Sequence, residues 1–60
     1  MLETKKEIRE YILRKLGEAK TCRIAYFNSM CKSEITFFNT LDEMIRNGEI
    51  KKDDNFVWLT

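Results

Sequence analysis

The sequence predicts an α+β domain in which three helices precede a C-terminal β-hairpin. Apolar residues recur at helical spacing through three stretches of the first 47 residues, and after Gly48 the period changes to two. There is no proline, and the two glycines fall at positions 17 and 48, so nothing breaks the helical stretches from within. Sixty residues make a single domain, and 43% apolar residues with seven aromatics are a globular composition.

The first stretch, "ETKKEIREYILRKLGEAK", predicts a helix over residues 3–16. Ile8, Ile12 and Leu16 fall four apart and form its apolar stripe, with Tyr11 and Lys15 flanking and Ala19 continuing it. Glu3 and Glu7 at the start and Arg14 and Lys15 at the end suit the helix dipole, and Gly17 reads as the stop. Lys5, Lys6, Arg9 and Glu10 lie off the stripe and read as a solvated face.

The second stretch, "TCRIAYFNSMC", predicts a short helix over residues 23–31. Ile24, Phe27 and Cys31 share one face and Tyr26 and Met30 another, as expected of a short helix wedged between two longer ones. The third helix is expected over 34–47, with Ser33 as N-cap and Glu34 at its positive end. Phe37, Leu41 and Met44 define its inner face, widened by Phe38 and Ile45. Ile35, Thr36, Asn39, Asp42, Glu43 and Arg46 collect opposite, and Gly48 ends the helix in the left-handed conformation. The hairpin is expected over 49–59, with polar residues 52–55 as its turn. Ile50, Val57 and Leu59 point one way along its strands, and Phe56 and Trp58 the other.

Composition excludes several functions. With no His, no glycine-rich phosphate loop and no Ser or Cys beside an evident base, the chain is not expected to be an enzyme. Cys22 and Cys31 alone cannot supply the four ligands of a structural zinc site, so no metal and no cofactor are expected. If the intervening stretch is helical, the two cysteines stand roughly 13 Å apart. That exceeds the roughly 7 Å a disulfide tolerates, so both read as reduced core residues. No apolar run approaches the ~20 residues of a membrane span, and the N-terminus lacks the apolar core of a signal peptide, so a cytoplasmic setting is expected. Net charge is +1, but residues 1–32 carry a local +4 and residues 33–60 a local −3. The acidic second half counts against a simple nucleic-acid-binding surface.

Taken together, Thr21 before the short helix, Ser33 opening the next, Phe37, Leu41 and Met44, then Gly48-Glu49-Ile50 and the closing "VWLT" resemble a winged-helix domain over nearly the whole chain. Winged helices often combine a Ser-capped recognition helix, a Gly-x-Ile exit into the wing and an apolar-x-Leu-Thr return strand. Many carry a Gly in the turn before the recognition helix, where this chain has Met30-Cys31-Lys32. The resemblance implies a small DNA-binding protein, a transcriptional regulator presenting the helix after Ser33 to the major groove of double-stranded DNA. Lys32, Ser33, Ile35, Thr36 and Asn39 would then lie near base edges or phosphates, with Arg46, Lys51 and Lys52 near the flanking backbone. Asn pairs with adenine through two hydrogen bonds, Ile35 suits a thymine methyl, and Lys32 with the helix-start N–H groups suits a phosphate.

Plainer roles stand beside these. Thr36 and Asn39 are ordinary exposed helix residues, Ile35 suits a core periphery, and Lys51 and Lys52 suit a solvated edge strand. Asp42, Glu43, Asp53 and Asp54 oppose phosphates, so modest, salt-sensitive affinity is expected, with a homodimer doubling the contacts. The alternative is a protein–protein interaction module on the same scaffold. There Ile35, Phe38, Phe56 and Trp58 would contact the partner, although Trp58 equally suits a hairpin clasp over the core.

Overall fold

The computed structural model describes residues 1–60. Three helices and a three-stranded antiparallel sheet form an α+β architecture: α1 (Lys5–Glu18), β1 (Cys22–Arg23), α2 (Ile24–Ser29), α3 (Glu34–Arg46), β2 (Ile50–Lys52) and β3 (Phe56–Leu59). The strand order is β1-β3-β2, which makes β3 central. No helix is long and apolar enough to cross a membrane.

Local chemistry sets the helix ends. α1 starts two residues later than expected because Thr4 builds a capping box with Glu7. The Thr4 hydroxyl accepts from the Glu7 N–H at 3.1 Å, and the Glu7 carboxylate accepts from the Thr4 and Glu3 N–H groups at 3.0 and 3.2 Å. Thr-x-x-Glu is a sequence signature of this device. Gly17 does not end α1, which runs on to Glu18 with extended Ala19 as its C-cap. Ala19 is therefore exposed and does not continue the apolar stripe. Nothing lies within 4 Å of a Cβ placed at Gly17, so its helical conformation answers to no packing demand. Gly48 does stop α3, at φ +76°, the left-handed region that glycine occupies most readily.

Ten residues form the apolar core: Ile8, Ile12 and Leu16 from α1, Phe27 and Cys31, Phe37, Leu41 and Met44 from α3, and Ile50 and Val57 from the sheet. Of the two apolar faces in the second helical stretch, the Phe27–Cys31 face is thus the buried one. Tyr26 is exposed, and its hydroxyl hydrogen-bonds that of Tyr11 at 2.8 Å. α2 is shorter than expected because the chain after Ser29 turns to meet the N-terminus. Leu2 donates its N–H to the Met30 carbonyl and accepts from the Lys32 N–H, both at 2.8 Å. Buried Thr40 satisfies its hydroxyl by donating to the Thr36 carbonyl at 2.8 Å.

One feature of the sheet differs from the sequence expectation. β1 joins the hairpin as a third strand, pairing Cys22 with Val57 and Arg23 with Phe56. Leu59 points with Val57 yet remains 41% exposed. It pairs with Ile50 alone, beyond the last rung that β1 contributes.

Candidate nucleic-acid interface

The core grip on Phe37, Leu41 and Met44 fixes which side of α3 faces outward. Ile35, Asn39, Asp42 and Arg46 follow one another at i, i+4, i+7 and i+11, a stripe roughly 16 Å long at helical rise. Ile35 is 75% exposed and contributes nothing to the core. Asn39, Asp42 and Arg46 are exposed too, and neither Asp42 nor Arg46 joins any of the four ion pairs.

Other expected site residues are engaged within the fold. The Ser33 hydroxyl accepts from the Thr36 N–H at 3.2 Å, so it caps α3, and half-buried Thr36 lends its carbonyl to Thr40. The Lys32 ammonium lies 3.4 Å from the Glu3 carboxylate, with both side chains well exposed. Glu43, expected on the outward face, turns toward α1 and pairs with Lys5, which holds its carboxyl below the ordinary value of 4.5. Arg9 pairs with Glu49 in the same seam, and hydrogen bonding to that carboxylate raises the pKa of the guanidinium.

The hairpin divides its lysines. Lys51 stands opposite Trp58 and Lys52 opposite Val57, so the pleat sends them to different faces. Lys52 takes the side of the sheet that bears the helices, and its ammonium donates to the Asp53 carbonyl at 3.3 Å. The Asp53 carboxylate accepts from the Asn55 and Phe56 N–H groups at 2.9 and 2.8 Å, and these bonds lower its pKa from 3.8. One of the two tip carboxylates is therefore a turn-former.

The aromatic residues separate into two places. Phe38 is 40% exposed, edge-on to Phe37 with ring centroids 4.9 Å apart. It borders a groove of about 260 Å³ with Arg23 of β1, Ile24, Ala25 and Asn28 of α2, and Asp54 and Asn55 of the hairpin tip. Phe56 and Trp58 are half-buried on the opposite face of β3 from Val57, with the Arg23 guanidinium 5.2 Å over the Phe56 ring centroid. Arg23, expected as the first residue of the second helix, is instead in β1, and its pairing with Phe56 makes it a neighbour of these rings. The one signal available was a basic residue beside Cys22, too short a run to show a period.

No group of three or more His, Cys, Asp or Glu side chains comes together as a metal site. Cys31 is buried, its thiol donates to the Phe27 carbonyl at 3.3 Å, and burial raises its pKa. No family model, curated protein or solved structure matches the chain at a significant level.

Proposed function

We propose that this chain is a winged-helix protein that binds duplex DNA as a small transcriptional regulator, with α3 entering the major groove and β2–β3 acting as the wing. One observation carries the reading: Ile35, Asn39 and Arg46 lie exposed along one stripe of α3 that the fold does not use. An isoleucine exposed at 75% on a helix whose other face is fully packed is accounted for by apolar contact with a thymine methyl. Asn39, one turn on, supplies a bidentate partner for adenine, and Arg46 meets a phosphate at the far end of the groove. Lys52 serves the wing backbone contact on the helix-bearing side of the sheet. Ser33 acts indirectly, by fixing the start of α3. Asp42 on the same stripe keeps the affinity modest.

The test is anisotropy binding to a pool of random duplexes at low and moderate salt, followed by selection of the preferred sequence. Asn39→Ala should lower discrimination at one base pair by about 1–3 kcal/mol. Lys52→Gln should instead weaken every sequence alike and reduce the salt slope by about one. Absence of duplex binding at low ionic strength overturns the reading.

A second reading has its own observation, the groove beside exposed Phe38, which suits an apolar side chain of a protein partner. Under that reading Phe38→Ser abolishes partner capture while Asn39→Ala changes nothing.

A further inference from the structure

The sheet has one face without a layer over it. Ile50 and Val57 join the helix residues in the core, so α1 and α3 pack on one side only. On the other side, central β3 presents Phe56 and Trp58, two residues apart and so about 6.7 Å along the strand. The register sets a cation beside each ring: Arg23 of β1 opposite Phe56, and Lys51 of β2 opposite Trp58. The Arg23 guanidinium already lies over the Phe56 ring. Neither Arg23 nor Lys51 joins an ion pair.

Two of the acidic groups nearest in the chain are held elsewhere: Glu49 pairs with Arg9, and Asp53 is bonded into the turn. Asp54 lines a groove together with Arg23 but forms no ion pair with it. Two aromatic rings on a central strand, flanked on both sides by unpaired cations, match what an unpaired nucleic-acid strand requires. Its bases stack on flat rings or guanidinium planes while its phosphates meet positive charge. A second copy of the chain fits poorly, because two such faces would bring Arg23 and Lys51 against their own likenesses.

We propose that this outer sheet face is a stacking platform for single-stranded nucleic acid. Trp58 receives one base, the Arg23 guanidinium over Phe56 offers the next flat surface, and Arg23 and Lys51 neutralise the phosphates between them. The spacing of the rings suits an unstacked strand, since stacked bases rise only about 3.4 Å each. This surface is separate from the α3 stripe and does not depend on duplex recognition.

Trp58 is the only tryptophan, so its fluorescence reports on the site in the unmodified chain. Titration with a short oligothymidine should quench it, and an abasic oligomer of equal length should bind at least about fivefold more weakly. Trp58→Ala should lose at least about fivefold in oligothymidine affinity, whereas Trp58→Phe, which keeps a ring, retains most of it. With two phosphates neutralised, affinity should fall about sevenfold between about 50 and 200 mM salt, and Arg23→Gln with Lys51→Gln should remove most of that dependence. Equal binding of the abasic oligomer, absence of quenching, or self-association that Trp58→Phe abolishes would each overturn the proposal. If oligothymidine fails while Asn39-dependent duplex binding persists, this inference alone falls. If duplex binding fails while oligothymidine quenches Trp58, the α3 reading alone falls.

Discussion

The seam between α1 and α3 and the outer face of the sheet are both rich in cations, yet they dispose of them in opposite ways. In the seam, Lys5 pairs with Glu43, and nearby Arg9 pairs with Glu49 at the exit from α3. Each pair joins the basic first half of the chain to the acidic second half, so part of the charge asymmetry of the sequence is met there on folding. On the sheet, Arg23 lies over the Phe56 ring, Lys51 stands opposite Trp58 in the strand register, and neither has a carboxylate partner. Positive charge that is free to meet a phosphate is therefore decided by tertiary pairing and not by the tally along the chain. The seam invests its charges in joining helices, and the sheet leaves its charges available.

The largest effect that would sharpen this contrast comes from within α3 itself. Phe37 is fully buried and Ile35, two residues earlier, is 75% exposed. Phe37→Ala removes a core ring and is expected to cost about 3–5 kcal/mol. A core this small rarely supplies more than about that amount, so circular dichroism at 25 °C should find the variant largely unfolded. Ile35→Ala should stay within about 0.5 kcal/mol of the parent in urea unfolding. A large stability loss at Ile35 would show that its side chain belongs to the fold and would remove it from the proposed interface.

Much of this contrast was legible before folding and some of it was not, for physical reasons. Ile8, Ile12 and Leu16, and Phe37, Leu41 and Met44, declare their burial through helical period, and that period also fixes the outward stripe of Ile35, Asn39 and Arg46. Gly48 and Ser33 announce their own ends of α3, whereas Gly17 misleads because an interior glycine costs only about 1 kcal/mol, which packing of the flanking turns overrides. β1 is two residues long, less than one period of alternation, and exists only because β3 offers it an edge. The partners of Lys32, Lys5 and Arg9 lie 29 to 40 residues away in sequence, beyond any local pattern. The division of Lys51 from Lys52 was readable from the pleat alone. The capping box at Thr4 was equally readable, from its Thr-x-x-Glu spacing.

A smaller effect tests the seam directly. Glu43→Gln with Glu49→Gln would free Lys5 and Arg9 while leaving the apolar core intact. The Lys5–Glu43 pair is exposed and contributes little to stability, whereas the Glu49 side chain is only 21% exposed, so any fall in the melting temperature should come mainly from losing the Arg9–Glu49 pair. Duplex affinity at low salt should rise, with a salt slope steeper by about 0.9 for each cation that reaches a phosphate. An unchanged slope would mean that the α1 side of the molecule lies away from bound DNA, and the contrast between the two regions would then concern geometry more than charge.

The smallest expected effect separates the regions by acid. Glu43 is lowered by the Lys5 ammonium, Glu7 by the N–H groups of Thr4 and Glu3, and Asp53 by those of Asn55 and Phe56. A carboxyl held lower in the folded chain than in the unfolded one binds fewer protons when folded, so its stabilisation is fully present above its ordinary pKa and lost as pH falls through the folded value. Stability should therefore be level down to about pH 5 and decline below the ordinary values of 4.5 for the glutamates and 3.8 for Asp53. Thermal unfolding across that window should show a shallower decline in Glu7→Gln and in Asp53→Asn, whose parent carboxylates accept from backbone N–H groups. Raising the salt should flatten the part owed to Glu43, because an exposed ion pair is screened, while the share of Glu7 and Asp53 persists as short-range hydrogen bonding. If salt abolished the whole acid decline, the caps would contribute nothing beyond long-range charge. The hairpin turn and the start of α1 would then be held by the same weak forces as the seam.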